Sequence, residues 1–147
     1  MTEGNLAQTP KNKKTMNGFI ENPTTVSVRY IVDDVDSCVK FYTQLLGFEV
    51  VMHTPDAFAM LSKGNLHLVF NRPGAGGAGQ AMPDGTKPAP GGWNRFQLEV
   101  QNIEAVIEDL KGKKAVFRNE LVTAPAGSQI LLMDPSGNLI ELFERKR

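Results

Sequence analysis

Cysteine, tryptophan and histidine are scarce in this chain of 147 residues, which has one Cys, one Trp and two His. A single cysteine, Cys38, excludes an internal disulfide and a thiolate metal cluster, and it fits a reducing cytoplasm. Sixteen basic residues balance sixteen acidic ones, so no net charge favours nucleic acid or an anionic membrane surface. No stretch approaches the roughly 20 consecutive apolar residues of a membrane-spanning helix. Composition therefore predicts a soluble cytoplasmic protein with neither nucleic acid nor membrane as partner.

The N-terminal segment lacks an apolar stretch after its charged residues. It therefore does not resemble a secretion signal. We expect residues 1–22 to form a flexible arm. The remaining residues, 23–147, have the length of one ordinary domain, and a hydrophobic content of 41% is sufficient for a core.

Glycine and proline are concentrated in one place, since half of residues 71–92 are Gly or Pro. This segment contains a G-x-G-x-x-G pattern at Gly74, Gly76 and Gly79. A dinucleotide site needs a helix directly after such glycines, and Pro83 and Pro88 prevent one. We therefore interpret the segment as a long linker, either a plain tether or a loop that covers a binding site.

The same order of elements occurs on both sides of the linker and predicts an α+β fold. Each half has an alternating strand, an amphipathic helix and three further short strands. In the first half these are predicted at 24–32, 33–47, 48–53, 57–62 and 66–70, and in the second half at 94–100, 101–114, 115–120, 128–133 and 139–144. The pattern indicates an internal duplication, with module one at 23–70, the linker at 71–92 and module two at 93–147.

Two segments of the sequence resemble a known family. "VRYIVDDVDSCVKFYTQLLGF", from Val28, resembles the start of a vicinal-oxygen-chelate module, and "ILLMDPSGNLIELFE", from Ile130, is similar to the closing strands of the second module. This superfamily includes glyoxalases, extradiol dioxygenases and bleomycin-resistance proteins. The resemblance implies two βαβββ modules forming an incomplete eight-stranded barrel around a concave pocket, a small-molecule ligand and a homodimer.

In metal-bearing members of the family, each module supplies one ligand from its first strand and one from its last. The resemblance places these positions at Ser27 and His67 in module one and at Arg95 and Glu141 in module two. Of the four, His67 and Glu141 are the plausible metal ligands, while the fixed charge of Arg95 would repel a cation. We therefore expect no cofactor, with a divalent metal ion as the alternative, and a compensated pair between Arg95 and Glu141.

Strand alternation adds further candidates for contact with a substrate, because residues two apart share a face of the sheet. It places Arg29 on the face of Ser27 and Gln97 on the face of Arg95. The linker and its end add Gln80, Trp93 and Asn94. The substrate-binding candidates are thus Ser27, Arg29, Gln80, Trp93, Asn94 and Gln97. Structural explanations remain open for several of them: Arg29 as an edge-strand charge, Trp93 as core packing, and His67 as a hydrogen-bonded or exposed side chain.

The resulting functional hypothesis is a metal-independent site for a small oxygenated or anionic compound, in a lyase/isomerase-type enzyme or in a binding protein. In an enzyme, His67 would act as general acid or base, Glu141 would orient it, and Arg95 would stabilise an oxyanion. One alternative is non-catalytic drug sequestration of the bleomycin-resistance type. The second alternative is a metal-dependent glyoxalase or dioxygenase.

Overall fold

Two modules of the same element order follow one another in the computed structural model, which describes residues 23–147. The predicted arm, 1–22, lies outside the described residues. Module one contains β1 (Val26–Ile31), α1 (Val35–Leu46), β2 (Glu49–Thr54), β3 (Phe58–Lys63) and β4 (Leu66–Asn71). Module two contains β5 (Arg95–Glu99), α2 (Ile103–Gly112), β6 (Val116–Phe117), β7 (Val122–Ala124), β8 (Gly127–Met133) and β9 (Leu139–Arg145). The linker between them forms turns and bends without a helix or strand, so no helix follows its glycine pattern.

The helices begin and end at residues that satisfy their free backbone groups. Asp34 caps α1 by accepting a hydrogen bond from the Ser37 amide at 3.1 Å. Gly47 ends this helix in the left-handed region, with φ of 73°, a conformation that glycine adopts without strain. Asn102 caps α2 through the Ala105 amide at 3.3 Å.

The strands form two sheets rather than a closed barrel. The first sheet has the order β1-β4-β3-β2, with β1 parallel to β4. The second has the order β5-β9-β8-β6, with β5 parallel to β9 and with β7 paired to β8. In both sheets, the first and last strands of a module therefore lie side by side.

One face of each sheet is covered by the helix of its own module, and the two covered faces share a hydrophobic core. Core residues of module one include Leu61, Leu68 and Tyr42, which are fully buried. Phe96 of module two joins them, because its ring centroid lies 5.8 Å from that of Tyr30 and 6.5 Å from that of Tyr42. This aromatic contact continues the core across the boundary between the modules.

The turn between β8 and β9 connects the modules through side-chain hydrogen bonds. Ser136 accepts a hydrogen bond from the Asp33 amide at 2.9 Å. Asn138 is buried, donates to the Ile31 carbonyl at 2.9 Å and accepts from the Gly91 amide at 2.8 Å. One side chain thus holds β1, the end of the linker and the β8–β9 turn together.

Module two differs from the prediction in its middle strands. The strand expected at 115–120 is only Val116–Phe117, and β7 was not predicted, so nine strands are present in the described residues rather than eight. The cause is visible at Asn119, whose side chain accepts a hydrogen bond from the Leu131 amide at 2.9 Å. The Leu131 amide of β8 thus donates to a side-chain oxygen where a backbone carbonyl of β6 would otherwise accept its hydrogen bond. The pairing of β6 with β8 ends at this point.

Among the described helices, none combines the length and the apolar character needed to cross a membrane.

Candidate functional site

The face of each sheet that points away from its helix carries the predicted site residues, and we call it the open face. On the first sheet, strand register places Ser27 beside His67, and alternation adds Arg29. On the second sheet, it places Gln97 beside Glu141, and alternation adds Arg95.

Glu141 is the central residue of the second open face. It is 8% exposed and both of its carboxylate oxygens are hydrogen-bonded. Arg95 donates from Nε to Oε1 at 3.0 Å, and its Nη2 lies 3.0 Å from the same oxygen. Gln97 donates from Nε2 to Oε2 at 2.7 Å. The expected contact between Arg95 and Glu141 is therefore present, and it compensates the carboxylate charge inside the protein.

Strand register pairs the candidate positions differently in the two modules. In module one Ser27 pairs with His67. In module two Glu141 pairs with Gln97, and Arg95 pairs with Leu139. Gln97 is therefore the residue across from Glu141, as Ser27 is across from His67.

The residues at these positions do not fit a divalent metal ion. Both oxygens of Glu141 already accept hydrogen bonds, and the guanidinium of Arg95 lies where a cation would approach. His67 lies on the other sheet, and no hydrogen bond joins its ring to any residue of 23–147. Within the same range, no group of three or more His, Cys, Asp or Glu side chains has the geometry of a metal site.

Trp93, a predicted candidate, contacts Arg118, which the sequence did not indicate, and the two extend the second open face. The Cζ atom of Arg118 lies 4.3 Å from the centroid of the Trp93 ring, a cation–π contact. Trp93 is 62% exposed, so the core-packing explanation for it is wrong. Its carbonyl also accepts a hydrogen bond from Arg95 Nη1 at 3.2 Å, which links it to the Glu141 group.

Sequence reasoning missed Arg118 because its position depends on an unpredicted strand end. The Arg118 amide donates to the Leu131 carbonyl at 2.8 Å and so continues the β6–β8 pairing by one residue. Leu131 in turn pairs with Glu141, which pairs with Gln97. Arg118 consequently lies at the far end of the row across the sheet that contains Glu141. One signal in the sequence could have found it: Arg118 is two residues from Val116 in the predicted strand, so the two side chains lie on the same face of the sheet.

Two of the other candidates have positions that do not bring them to Glu141. Gln80 donates from Nε2 to the carbonyls of Gly74 and Gly76, at 3.0 and 2.9 Å, so its amide nitrogen holds its own loop together. Asn94 is exposed next to Trp93. A substrate contact from either residue stays a prediction.

A cavity of about 850 Å³ lies elsewhere, between α1 and the segments that follow α2 and β8. Half of its lining residues are charged, including Asp36 and Lys40 of α1 and Lys113 and Lys114 after α2, and it contains none of the predicted site residues. Asp36 is already engaged, because its carboxylate contacts His53 Nε2 at 2.7 Å and accepts from the Asp56 amide at 3.2 Å. The cavity and the open face are therefore separate features.

The family model described as Glyoxalase/Bleomycin resistance protein/Dioxygenase superfamily matches residues 24–142. Similar solved structures include a lactoylglutathione lyase from Agrobacterium tumefaciens, with 18% identity, a TM-score of 0.66, and coverage of 83% of this chain and 94% of that one. A glyoxalase/bleomycin resistance protein/dioxygenase from Nocardioides has 21% identity, a TM-score of 0.66, and coverage of 86% and 85%. The antibiotic binding protein TnmS3 from Streptomyces sp. CB03234 has 20% identity, a TM-score of 0.64, and coverage of 85% and 98%. A search of curated proteins found no significant match. At these identities the structural likeness shows the fold alone.

Proposed function

Because the chain belongs to the Glyoxalase/Bleomycin resistance protein/Dioxygenase superfamily, we propose that the open face of its second sheet binds a small molecule without a divalent metal ion. The observation that carries this proposal is the hydrogen bonding of both Glu141 carboxylate oxygens by neighbouring side chains. The two oxygens accept hydrogen bonds from Arg95 and Gln97, so the carboxylate orients these two side chains instead of holding a metal.

The ligand class that this arrangement favours is a small oxygenated or anionic compound. The Arg95 side chain is 30% exposed, which leaves part of its guanidinium accessible from the open face. Arginine has five N–H donors in a fixed plane, and the bonds to Glu141 and Trp93 leave donors for a carbonyl, carboxylate or phosphate oxygen. Glu141 keeps the guanidinium in one orientation, which lowers the entropy lost when a ligand binds.

Binding is the simplest function for this site, and one similar structure is an antibiotic binding protein. Sequestration of a drug-like molecule is therefore one form of the proposal. The other form is a lyase or isomerase in which His67, on the open face of the first sheet, acts as general acid or base. His67 is partly exposed beside Ser27, and no described residue occupies its ring by hydrogen bonding, so its nitrogens are available to a substrate.

The proposal includes a homodimer, because apolar side chains are exposed on the edge strands of module one. Val26 on β1 and Val50, Val51 and Met52 on β2 are each about half exposed, at 55%, 49%, 50% and 54%. Burying such side chains against a second copy would stabilise an assembly. Light scattering coupled to size-exclusion chromatography tests this part, and a mass of one chain across micromolar concentrations contradicts it.

A thermal-shift screen tests the site itself. Small carboxylates, aldehydes, hydroxy acids and phosphate are added to the protein in EDTA and, separately, with Zn²⁺, Ni²⁺ or Mn²⁺. We expect stabilising compounds to act equally in EDTA, and Arg95→Gln to abolish the shift. Arg145→Gln is the matched control, since Arg145 forms an exposed pair with Glu99 on the same sheet. Shifts that require metal, or that survive Arg95→Gln, contradict the proposal.

A further inference from the structure

We propose that Trp93 and Arg118 select the ligand, and that they select a planar aromatic anion. The aromatic ring of the ligand stacks on the exposed part of the Trp93 indole, and its anionic group binds the N–H groups of Arg118. This inference rests on the proposed function, because it names the ligand class for the same open face.

The position of Arg118 gives the first support. Arg118 and Trp93 come from opposite edges of the second sheet, since β6 and β5 are separated by β8 and β9. Three strand spacings amount to about 14 Å. The side chain of Arg118, which follows β6, nonetheless lies 4.3 Å from the ring of Trp93, which precedes β5. Arg118 starts from the row that contains Leu131, and the Trp93 carbonyl accepts a hydrogen bond from Arg95, so this contact lies beside the Glu141 group.

The charge of Arg118 gives the second support. Arg95 is compensated by Glu141, and Arg145 by Glu99. Within residues 23–147, no carboxylate lies within 4.0 Å of the Arg118 guanidinium, and this group donates no hydrogen bond. Among residues 23–147, Arg118 is therefore a cation without a carboxylate partner next to an aromatic ring.

The chemistry of the guanidinium explains why both residues act on one ligand. Its contact with the face of the Trp93 ring uses none of its N–H groups as hydrogen-bond donors, so a carboxylate can accept two hydrogen bonds from them. The exposed indole offers a large apolar surface at the same place. An aromatic anion uses both groups, whereas a neutral aromatic compound loses the ion pair and an aliphatic anion loses the stacking.

Three probes separate these contributions: 2-naphthoate, its neutral amide 2-naphthamide, and the non-aromatic anion cyclohexanecarboxylate. Trp93 is the sole tryptophan of the chain, so quenching of its emission reports contact at this position. Titration calorimetry supplies the dissociation constants. We expect 2-naphthoate to bind about tenfold more tightly than either other probe and to quench the emission, since each of the other probes lacks one of the two contacts; the ratio corresponds to about 1.4 kcal/mol.

Two variants and one control assign the effect to Arg118. Arg118→Gln should remove the preference of the protein for naphthoate over naphthamide, and Trp93→Leu should remove its preference for naphthoate over cyclohexanecarboxylate. Arg145→Gln makes the same charge change on the same sheet and should leave both preferences as in the parent. Absence of naphthoate binding, or an unchanged preference in Arg118→Gln, overturns the inference.

The result for Glu141→Gln distinguishes this inference from the function on which it rests. If naphthoate discrimination depends on Arg118 but binding is unaffected by Glu141→Gln, the ligand class stands and the proposed role of the Glu141 group is wrong. If Glu141→Gln abolishes binding of all probes while Arg118→Gln changes nothing, the proposed site stands and the aromatic-anion inference is wrong.

Discussion

Tyr42 of module one donates a buried 2.9 Å hydrogen bond to the Asp134 carboxylate of module two. The other oxygen of Asp134 accepts from the Ser136 and Asn138 amides, at 2.8 and 2.9 Å. Burial raises the pKa of Asp134, while the hydrogen bonds from Asn138, Tyr42 and Ser136 lower it and so limit the rise. A side chain on α1 thus hydrogen-bonds the carboxylate that organises the turn leading into β9.

Tyr42→Phe is expected to destabilise the protein by about 1.5–3 kcal/mol at pH 7, because a hydrogen bond to a buried charged group is lost. The loss shrinks as the pH falls through the raised pKa of Asp134, since the protonated carboxyl needs this donor less. For the parent, a raised pKa means that folding favours the protonated form of Asp134. The contribution of Asp134 to the free energy of unfolding is therefore fully present below the ordinary aspartate pKa. It is lost as the pH rises through the raised pKa of the folded protein.

Tyr30→Phe is the matched control for this experiment, because Tyr30 also donates across the modules, to the neutral carbonyl of Leu139 at 2.6 Å. Its expected cost is about 0.5–1.5 kcal/mol, without dependence on pH between 3 and 8. Urea unfolding at several pH values measures both variants. Equal pH dependence in the two would show that Tyr42 does not act through the charge of Asp134.

Arg95→Ala should lower the free energy of unfolding by about 1–3 kcal/mol, because it leaves the buried Glu141 carboxylate without its cation. The value is below that of a fully buried pair, since the Arg95 side chain is partly exposed. Arg145→Ala breaks an exposed pair with Glu99 and should unfold close to the parent. Chemical denaturation distinguishes them, and an Arg95→Ala variant as stable as the parent would contradict a structural role for the pair.

Metal content provides an independent check on the Glu141 group. Protein purified without a metal-affinity step should contain Ni, Zn, Fe and Mn far below one ion per chain, because Arg95 and Gln97 occupy both oxygens of Glu141. Dialysis against EDTA should leave the melting temperature unchanged. Elemental analysis that finds one retained ion per chain would show that the donors rearrange around a metal.

The sequence predicted the element order of module one and, apart from β7, that of module two, because apolar periodicity, capping residues and glycine stops are local signals. It also predicted the pairing of Arg95 with Glu141, through the requirement that a buried carboxylate be compensated. It did not predict the register of β5 against β9, which depends on packing between distant segments and placed Gln97 rather than Arg95 opposite Glu141. Arg118 was missed for a related reason, since Asn119 ends β6 through a side-chain contact that no periodicity encodes.

The linker remains the part of the chain whose role the sequence left open, and its glycines differ in what they permit. A Cβ atom on Gly79 would overlap the backbone carbonyls of Ala75 and Arg72, whereas a Cβ on Gly77 would meet no atom within 4 Å. Gly79 also closes the loop, because its carbonyl accepts from the Gly74 amide at 2.7 Å. The loop therefore has one defined conformation that depends on Gly79.

Gly79→Ala is accordingly expected to open this loop, while Gly77→Ala should leave it intact. The expected results are a lower melting temperature and faster proteolysis within 72–87 for Gly79→Ala, and parent-like values for Gly77→Ala. Ligand affinity then decides between the two roles. If 2-naphthoate binds Gly79→Ala and the parent equally, the linker is a tether between the modules. If affinity falls in Gly79→Ala but not in Gly77→Ala, the folded loop contributes to the binding site, and the hypothesis of a covering loop is supported.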